Sequence, residues 1–131
     1  MYRSPRRKTV GLALGSGGIR GLAHVGVIKA LVKHGIPIDY LAGSSIGAWV
    51  AAHFALFQDI ERLEEFTVNR KEEKLRALLE PSWRGGFVSG ERTRSLLDLW
   101  LEGATFEQTL IPVAVVATDL QHRRAEIFSS G

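Results

Sequence analysis

One serine lies in a sequence that could make its hydroxyl group a nucleophile. Residues 43–47 read Gly-Ser-Ser-Ile-Gly, so Ser45 is the central residue of a G-x-S-x-G pentapeptide. Between a strand and a helix, this spacing predicts a sharp turn that exposes the central side chain, and the following helix directs N–H groups at developing negative charge. An ordinary glycine turn that caps a helix is the alternative, but the position favours a nucleophile elbow. The other residues of the elbow are Gly43, Ser44, Ile46 and Gly47.

A second glycine-rich segment, residues 15–21, follows the first predicted strand and reads Gly-Ser-Gly-Gly-Ile-Arg-Gly. Acyl transfer needs donors for the negatively charged oxygen of the tetrahedral intermediate, and glycine N–H groups suit this because no side chain covers them. A dinucleotide- or phosphate-binding loop is the competing interpretation. However, Arg20 or Ser16 replaces a glycine in each possible frame of G-x-G-x-x-G. The segment alone leaves both interpretations open, whereas the neighbouring elbow favours an oxyanion hole.

Other catalytic chemistries find less support in the composition. The sequence has no cysteine, which excludes a thiolate nucleophile, zinc–thiolate sites and iron–sulfur clusters. The four histidines lack the long downstream separation of the histidine in a Ser-His-Asp triad. His53, for example, follows Ser45 by two turns of the same predicted helix. We therefore expect no metal site and no cofactor.

The positive charge of the chain is concentrated at its start. Residues 1–8 contain four basic and no acidic groups, and the other residues contain 13 basic and 14 acidic groups, since the totals are 17 and 14. We expect residues 1–8 to be a disordered basic tail and residues 9–131 to belong to one domain. A nucleic-acid-binding domain carries its positive charge on the folded part, so no nucleic-acid partner is expected.

The apolar segments are too short for a targeting or membrane-spanning role. The longest, Ile46–Phe57, has 12 residues, and a helix needs about 20 to span a bilayer. Basic residues also precede Val10–Leu14, but this run is too short to be the core of a signal peptide. The sequence therefore predicts a cytoplasmic protein with no signal peptide and no transmembrane helix.

Short apolar strands alternate with helices along the chain. This order predicts an α/β domain with three α/β/α layers, a mainly parallel central sheet and right-handed crossovers. The predicted strands are Val10–Leu14, Ile38–Ala42, Ile111–Thr118 and, as a hairpin partner, Arg124–Phe128. The predicted helices run from Leu22 to a stop at Gly35 and over Ile46–Phe57, Ile60–Leu79 and Glu91–Glu102. The loop Pro81–Gly90 carries Trp83 and Phe87, which either pack on the domain or form a lid that touches a membrane.

Together these segments resemble the patatin-like phospholipase family. The resemblance rests on residues 15–21 with the LAHVGV that follows, on the pentapeptide 43–47 and on PVAVVATDL at residues 112–120. It covers most of residues 10–128. It implies a patatin-like α/β/α fold and a serine lipid acyl hydrolase that uses a Ser–Asp dyad without a histidine base. A phospholipid or another lipid ester would be the substrate, with peripheral contact to a membrane.

The resemblance also implies roles for single residues. Ser45 would be the nucleophile, and Gly17 and Gly18 would provide the N–H groups of the oxyanion hole. Arg20 would hold the glycine-rich segment or contact a lipid phosphate. The segment is completed by Gly15, Ser16 and Gly21, and Ser16 replaces the first glycine of the family's triplet.

The dyad aspartate of the family, which lies in a D-G-[GA] motif, has no counterpart in the sequence. None of the four aspartates precedes a glycine: Asp39, Asp59, Asp98 and Asp119. We therefore expect the chain to be an N-terminal part of the domain, truncated at its C-terminus, with the catalytic aspartate beyond residue 131. The alternative is a catalytically incomplete module of the same fold that binds a lipid or a partner. A nucleotide-binding domain that uses the glycine-rich segment is a weaker third option.

Overall fold

Four strands form one sheet in the order in which they occur along the chain. The computed structural model describes residues 7–69 and 90–131. The strands are β1 (Gly11–Leu14), β2 (Tyr40–Ser44), β3 (Val113–Asp119) and β4 (Arg124–Phe128). β1 pairs with β2 and β2 pairs with β3 in parallel, while β4 is antiparallel to β3. The predicted α/β fold with a mainly parallel sheet and a terminal hairpin is confirmed.

Helices occupy the connections between the parallel strands. They are α1 (Ala23–Lys33), α2 (Ile46–Phe57), α3 (Ile60–Glu64) and α4 (Gly90–Leu101). Short 3-10 turns cover Gly18–Leu22 and Phe106–Gln108, and a π-helical turn, Glu65–Asn69, follows α3. The predicted helix Ile60–Leu79 is therefore seen only as far as residue 69. Its remainder and the predicted loop residues 81–89, with Trp83 and Phe87, lie outside the described residues.

The second strand lies two residues later than the sequence predicts. Residues 38 and 39 precede the strand, whereas Gly43 and Ser44 belong to it because they pair with Val115 and Val116 of β3. Glycine followed by serine has low strand propensity, so the sequence indicated a turn at this point. Pairing with a neighbouring strand overrides that preference.

The helices cover one face of the sheet. α2 packs across β1, β2 and β3, and α1 packs against α2 and α3. This arrangement agrees with two right-handed crossovers that step in the same direction along a sheet, since both then place their helices on the same side. On the other face, Tyr40, Val116 and Ile127 are exposed. The described residues thus form two of the three predicted layers, and the third layer stays a prediction.

The start of the described chain is held to the beginning of β2. Arg7 donates two hydrogen bonds to the carboxylate of Asp39, at 2.6 and 2.8 Å, and Asp39 also accepts the N–H of Val10 at 2.8 Å. The Arg7 guanidinium and this backbone N–H lower the pKa of Asp39 to about 2. Arg7 thus has a fixed partner in the folded chain. Residues 1–6 lie outside the described residues, so the disordered tail stays a prediction.

A buried histidine lies in the middle of the core. His53 of α2 is 0% exposed, and its ring centroid lies 4.8 Å from that of Phe57 and 5.2 Å from that of Trp100. Both ring nitrogens lack a hydrogen-bond partner among the described residues. Burial, assisted by the nearby charge of Arg62, lowers the pKa of His53 to about 4. The imidazole is therefore neutral near neutral pH, and it packs as an aromatic ring away from Ser45.

Replacing His53 with phenylalanine is expected to flatten the pH dependence of stability. The pKa of His53 is about 4 in the folded chain against 6.5 for an ordinary histidine, so protonation below about pH 6.5 favours the unfolded chain. The wild-type free energy of unfolding should fall by up to about 3 kcal/mol as the pH drops from about 7 to about 4. Urea unfolding at several pH values measures this loss, and equal losses in both proteins would contradict the assignment.

Candidate active site

The two glycine-rich segments of the sequence meet at one edge of the sheet. β1, β2 and β3 are parallel, so their carboxyl ends lie together, and we call this the carboxyl edge. Leu14, the last residue of β1, pairs with Gly43, and Ser44, the last residue of β2, pairs with Val116. The segment 15–21 and the elbow therefore leave neighbouring strands at the same level.

Ser45 has the backbone conformation of a strained turn. Its φ of 53° and ψ of −127° place it in a region that residues with a side chain rarely adopt. It is the N-terminal cap residue of α2, yet its side chain makes no capping hydrogen bond. The residue is exposed, whereas Ile46 and Gly47, which follow it, are buried. Its hydroxyl group is thus presented to solvent at the positive end of the α2 dipole.

The two glycines of the elbow are required by close backbone packing. A Cβ atom at Gly43 would lie 2.5 Å from the Cα atom of Ala48, in the first turn of α2. A Cβ atom at Gly47 would collide with the carbonyl oxygen of Leu14 and lie 2.6 Å from that of Gly15. The G-x-S-x-G spacing therefore lets α2 start directly beside the end of β1.

The segment 15–21 folds into a tight turn beside the elbow. Gly18 has a φ of +54°, which suits glycine, and begins the 3-10 turn Gly18–Leu22. The N–H of Arg20 donates to the carbonyl of Gly17 at 3.2 Å. Gly21 is buried, and a Cβ atom there would collide with the side chain of Ile46. The turn is thus packed against the first residue of α2.

Two side-chain contacts fix this turn relative to the elbow. The hydroxyl groups of Ser16 and Ser44 are 2.9 Å apart. The ring N–H of His24, at the start of α1, donates to the carbonyl of Gly15 at 2.8 Å. Ser16 replaces a glycine of the family's triplet, and its proximity to Ser44 is seen only in the folded chain. Its hydroxyl group links the two segments, which a glycine could not do.

No carboxylate in residues 7–69 and 90–131 is hydrogen-bonded to Ser45. Asp119, at the end of β3, accepts the N–H groups of Gln121 and His122 at 3.0 and 3.1 Å. It also accepts from the His122 ring at 2.6 Å, and these bonds lower the pKa of Asp119. Asp119 therefore shapes the turn between β3 and β4.

The other three aspartates are engaged elsewhere. Asp39 binds the start of the chain, as described above, and Asp59 caps α3 by accepting the N–H of Arg62 at 2.9 Å. Asp98 lies 4.0 Å from Arg94 on the exposed side of α4. Each of the four aspartates thus has partners other than Ser45.

Residues 7–69 and 90–131 contain neither a metal-binding cluster nor a helix that could span a membrane. In these ranges, no three or more histidine and carboxylate side chains converge closely enough to bind a metal ion. In the same ranges, every helix is too short or too polar to cross a bilayer.

The sequence matches known proteins over the segments that form this site. The sequence model of the patatin-like phospholipase family matches residues 12–130. Lysophospholipase NTE1 of Coccidioides immitis is 57% identical over 62 residues, and that of Pyricularia oryzae is 55% identical over 62 residues; each match covers 45% of this chain and 4% of the relative. Lysophospholipase NTE1 of Kluyveromyces lactis is 53% identical over 60 residues, or 46% of this chain and 4% of the relative. The chain thus spans a small part of these relatives' length.

Substituting Gly47 with alanine is expected to destabilise the fold. The added methyl group has no space beside the Leu14 and Gly15 carbonyls, so the free energy of unfolding should fall by about 1–3 kcal/mol or more. Gly26→Ala is the matched control, because Gly26 lies inside α1 with no heavy atom within 4 Å of the new Cβ. It should be neutral or stabilising by up to about 1 kcal/mol. Equal effects in urea unfolding would contradict the packing described here.

Substituting Ser45 with glycine is expected to stabilise the chain. Glycine adopts positive φ without steric cost, so the free energy of unfolding should rise by about 1 kcal/mol. Ser95→Gly, on the exposed surface of α4, should instead destabilise by about 0.5 kcal/mol, because glycine is a poorer helix former than serine. A loss of stability in the Ser45 variant would show that the turn is not strained.

Proposed function

Because this chain belongs to the patatin-like phospholipase family, we propose that it provides the nucleophile and oxyanion hole of a serine hydrolase of lipid esters. The observation that carries this proposal is the exposed, strained Ser45 at the N-terminus of α2. Strain of about 1–3 kcal/mol persists where function requires it. A plain glycine turn would have no need for it.

In the proposed reaction, the Ser45 oxygen attacks the ester carbonyl and forms a tetrahedral intermediate. The alcohol or lysolipid then leaves, and water hydrolyses the acyl–serine ester. The intermediate carries a negative charge on the former carbonyl oxygen. We assign its stabilisation to the N–H groups of Gly17 and Gly18 and to the N-terminal end of α2. Each such donor is typically worth about 2.7–4 kcal/mol.

The contacts of the glycine-rich turn support this assignment. Ser16 is hydrogen-bonded to Ser44, next to the nucleophile, and His24 binds the Gly15 carbonyl. Donors held in this way need little reorganisation when charge develops, which is the condition for effective oxyanion stabilisation. Arg20 is exposed on the same turn, and we propose that it contacts the phosphate of a phospholipid substrate.

The proton acceptor for Ser45 is proposed to be an aspartate outside residues 1–131. A serine hydroxyl group needs a base to become a strong nucleophile, and the four aspartates of this chain have the other partners described above. The named relatives are lysophospholipases. We therefore propose phospholipids with a single acyl chain as the substrates to test first.

A catalytically incomplete module that binds lipid or a partner is the second candidate. The observation that favours it is that no carboxylate is bonded to Ser45 within the described part of the chain. In such a module the elbow and the glycine-rich turn would keep their structure, but Ser45 would have the reactivity of an ordinary serine.

Labelling with a fluorophosphonate probe separates the two candidates. In a protein that includes the proposed aspartate, an activated Ser45 should react with the probe, and Ser45→Ala should abolish both labelling and the hydrolysis of a p-nitrophenyl ester. Ser95→Ala is the matched control, since Ser95 is exposed on α4, and it should behave as wild type. Equal, slow ester hydrolysis by the wild type and the Ser45 variant would favour the non-catalytic module.

Asp119→Asn tests whether the base lies among the described aspartates. Asparagine can still accept the N–H groups of Gln121 and His122, so the turn should be kept, but it cannot accept a proton from serine. We expect the rate of Ser45 labelling to be unchanged. A loss of about 100-fold or more, as expected when a general base is removed, would instead assign that role to Asp119.

A further inference from the structure

We infer that the turn between β3 and β4, residues 120–123, docks this protein on a bilayer that contains anionic lipids. We call these four residues the hairpin tip. The inference rests on the proposed function, because it names the surface through which a lipid ester hydrolase would reach its substrate. It is carried by the position, exposure and charge of the tip.

The hairpin tip projects beyond the candidate site on the same edge of the sheet. Val116 of β3 pairs with Ser44, and β3 then continues through Asp119. At a rise of about 3.3 Å per residue, the end of β3 lies about 10 Å beyond the end of β2. Among the described residues, a flat surface that approaches the carboxyl edge can therefore contact the hairpin tip, and the elbow that carries Ser45 lies about 10 Å further back.

An apolar side chain stands at this projecting point. Leu120 is 80% exposed, the largest exposed fraction among the large hydrophobic residues that the structure describes. Ile19, on the turn that follows β1 at the same edge, is also exposed. A single exposed leucine needs no explanation. Its position at the projecting hairpin tip, three residues before Arg123, is what points to a lipid surface.

The charge of the tip is positive where it faces solvent. Arg124 pairs with Glu126 at 2.5 Å, and the Asp119 carboxylate is turned toward the His122 ring and backbone N–H groups. Arg123 makes no ion pair within the described ranges. Arg20, on the turn after β1, is likewise unpaired there. These two guanidinium groups thus remain available for lipid phosphates.

The backbone of the tip allows glycine to replace Arg123 without a steric cost. Its φ of 55° is in the left-handed region, where glycine or asparagine is favoured and a long side chain costs about 1–2 kcal/mol. The hydrogen bonds of Asp119 to the preceding N–H groups fix this turn. A bulky cation is therefore held at a position where glycine would be more stable. Arg123→Gly should therefore remove the charge without destabilising the turn.

An exposed leucine close to an unpaired arginine favours a lipid surface over other anionic partners. An exposed leucine can enter the boundary between headgroups and acyl chains, while neighbouring cations bind the anionic headgroups. A nucleic acid would engage the cations alone. The contribution of Leu120 to binding therefore distinguishes a lipid surface from a nucleic acid.

Sedimentation with phospholipid vesicles tests the inference on the full chain. The probes are vesicles of phosphatidylcholine alone and of equal parts phosphatidylcholine and phosphatidylglycerol. Wild-type protein should bind the anionic vesicles more tightly. Leu120→Glu should weaken this binding at least about tenfold, and Arg123→Gly about fivefold. Both variants should fold, since Leu120 is exposed and glycine relieves the backbone strain at position 123.

Matched controls lie away from the carboxyl edge. Leu110 is 64% exposed and precedes β3, so Leu110→Glu places the same change at the opposite edge of the sheet. Lys33, the exposed last residue of α1, provides the charge control as Lys33→Ala. Both controls should bind vesicles as wild type does. Equal losses in controls and tip variants, or no binding by wild type, would overturn the inference.

Two further outcomes are decisive. If Arg123→Gly weakens vesicle binding while Leu120→Glu does not, the tip attracts anions in general and the docking inference is wrong. Vesicle binding that persists in Ser45→Ala, with Leu120 dependence, supports docking even if Ser45 proves unreactive with the fluorophosphonate probe. Labelling of Ser45 without vesicle binding would leave the proposed hydrolase standing and reject the docking surface alone.

Discussion

The backbone at the start of α2 lies directly against the backbone at the end of β1, and the rest of the site depends on this contact. A side chain at Gly47 would collide with the Leu14 carbonyl. The approach is possible only because two parallel strands end at the same level, with Leu14 opposite Gly43. It places the turn that follows β1 beside the turn that follows β2. A nucleophile on one strand connection could then attack the carbon of a carbonyl group whose oxygen is bound by backbone donors on the other.

The same contact explains why strain is located at Ser45. The chain must leave β2, reverse its direction and begin a helix within one residue, and that residue takes a positive φ. The buried Ile46 anchors the first turn of α2 against Gly21, so the strained residue cannot relax by moving the helix. The Ser16–Ser44 hydrogen bond also restrains Ser45, because it joins the end of β2 to the glycine-rich turn. The packing of its neighbours thus holds Ser45 in place, with its side chain exposed at the N-terminus of α2.

Much of this arrangement could be predicted from local sequence patterns. The alternation of apolar strands and helices predicts the parallel sheet, and G-x-S-x-G between a strand and a helix predicts the turn at Ser45. The limits of β2 could not be predicted, because Gly43 and Ser44 become strand residues only by pairing with β3. The links of Ser16 to Ser44 and of His24 to Gly15 also depend on strand register, which a single sequence does not reveal. The exposure of Leu120 could not be predicted either, because it depends on how far β3 extends past β2, which the strand register also sets.

In the proposed reaction, the Ser45 hydroxyl group and the amides of the glycine-rich turn act on the same carbonyl group. A crystal structure of the protein after reaction with an alkyl fluorophosphonate tests this most directly, because the bound phosphoryl oxygen occupies the position of the oxyanion. We expect phosphorus on the Ser45 oxygen, with the phosphoryl oxygen about 2.7–3.1 Å from the backbone nitrogens of Gly17 and Gly18. Phosphorus on another residue, or a phosphoryl oxygen directed to solvent away from these amides, would contradict it.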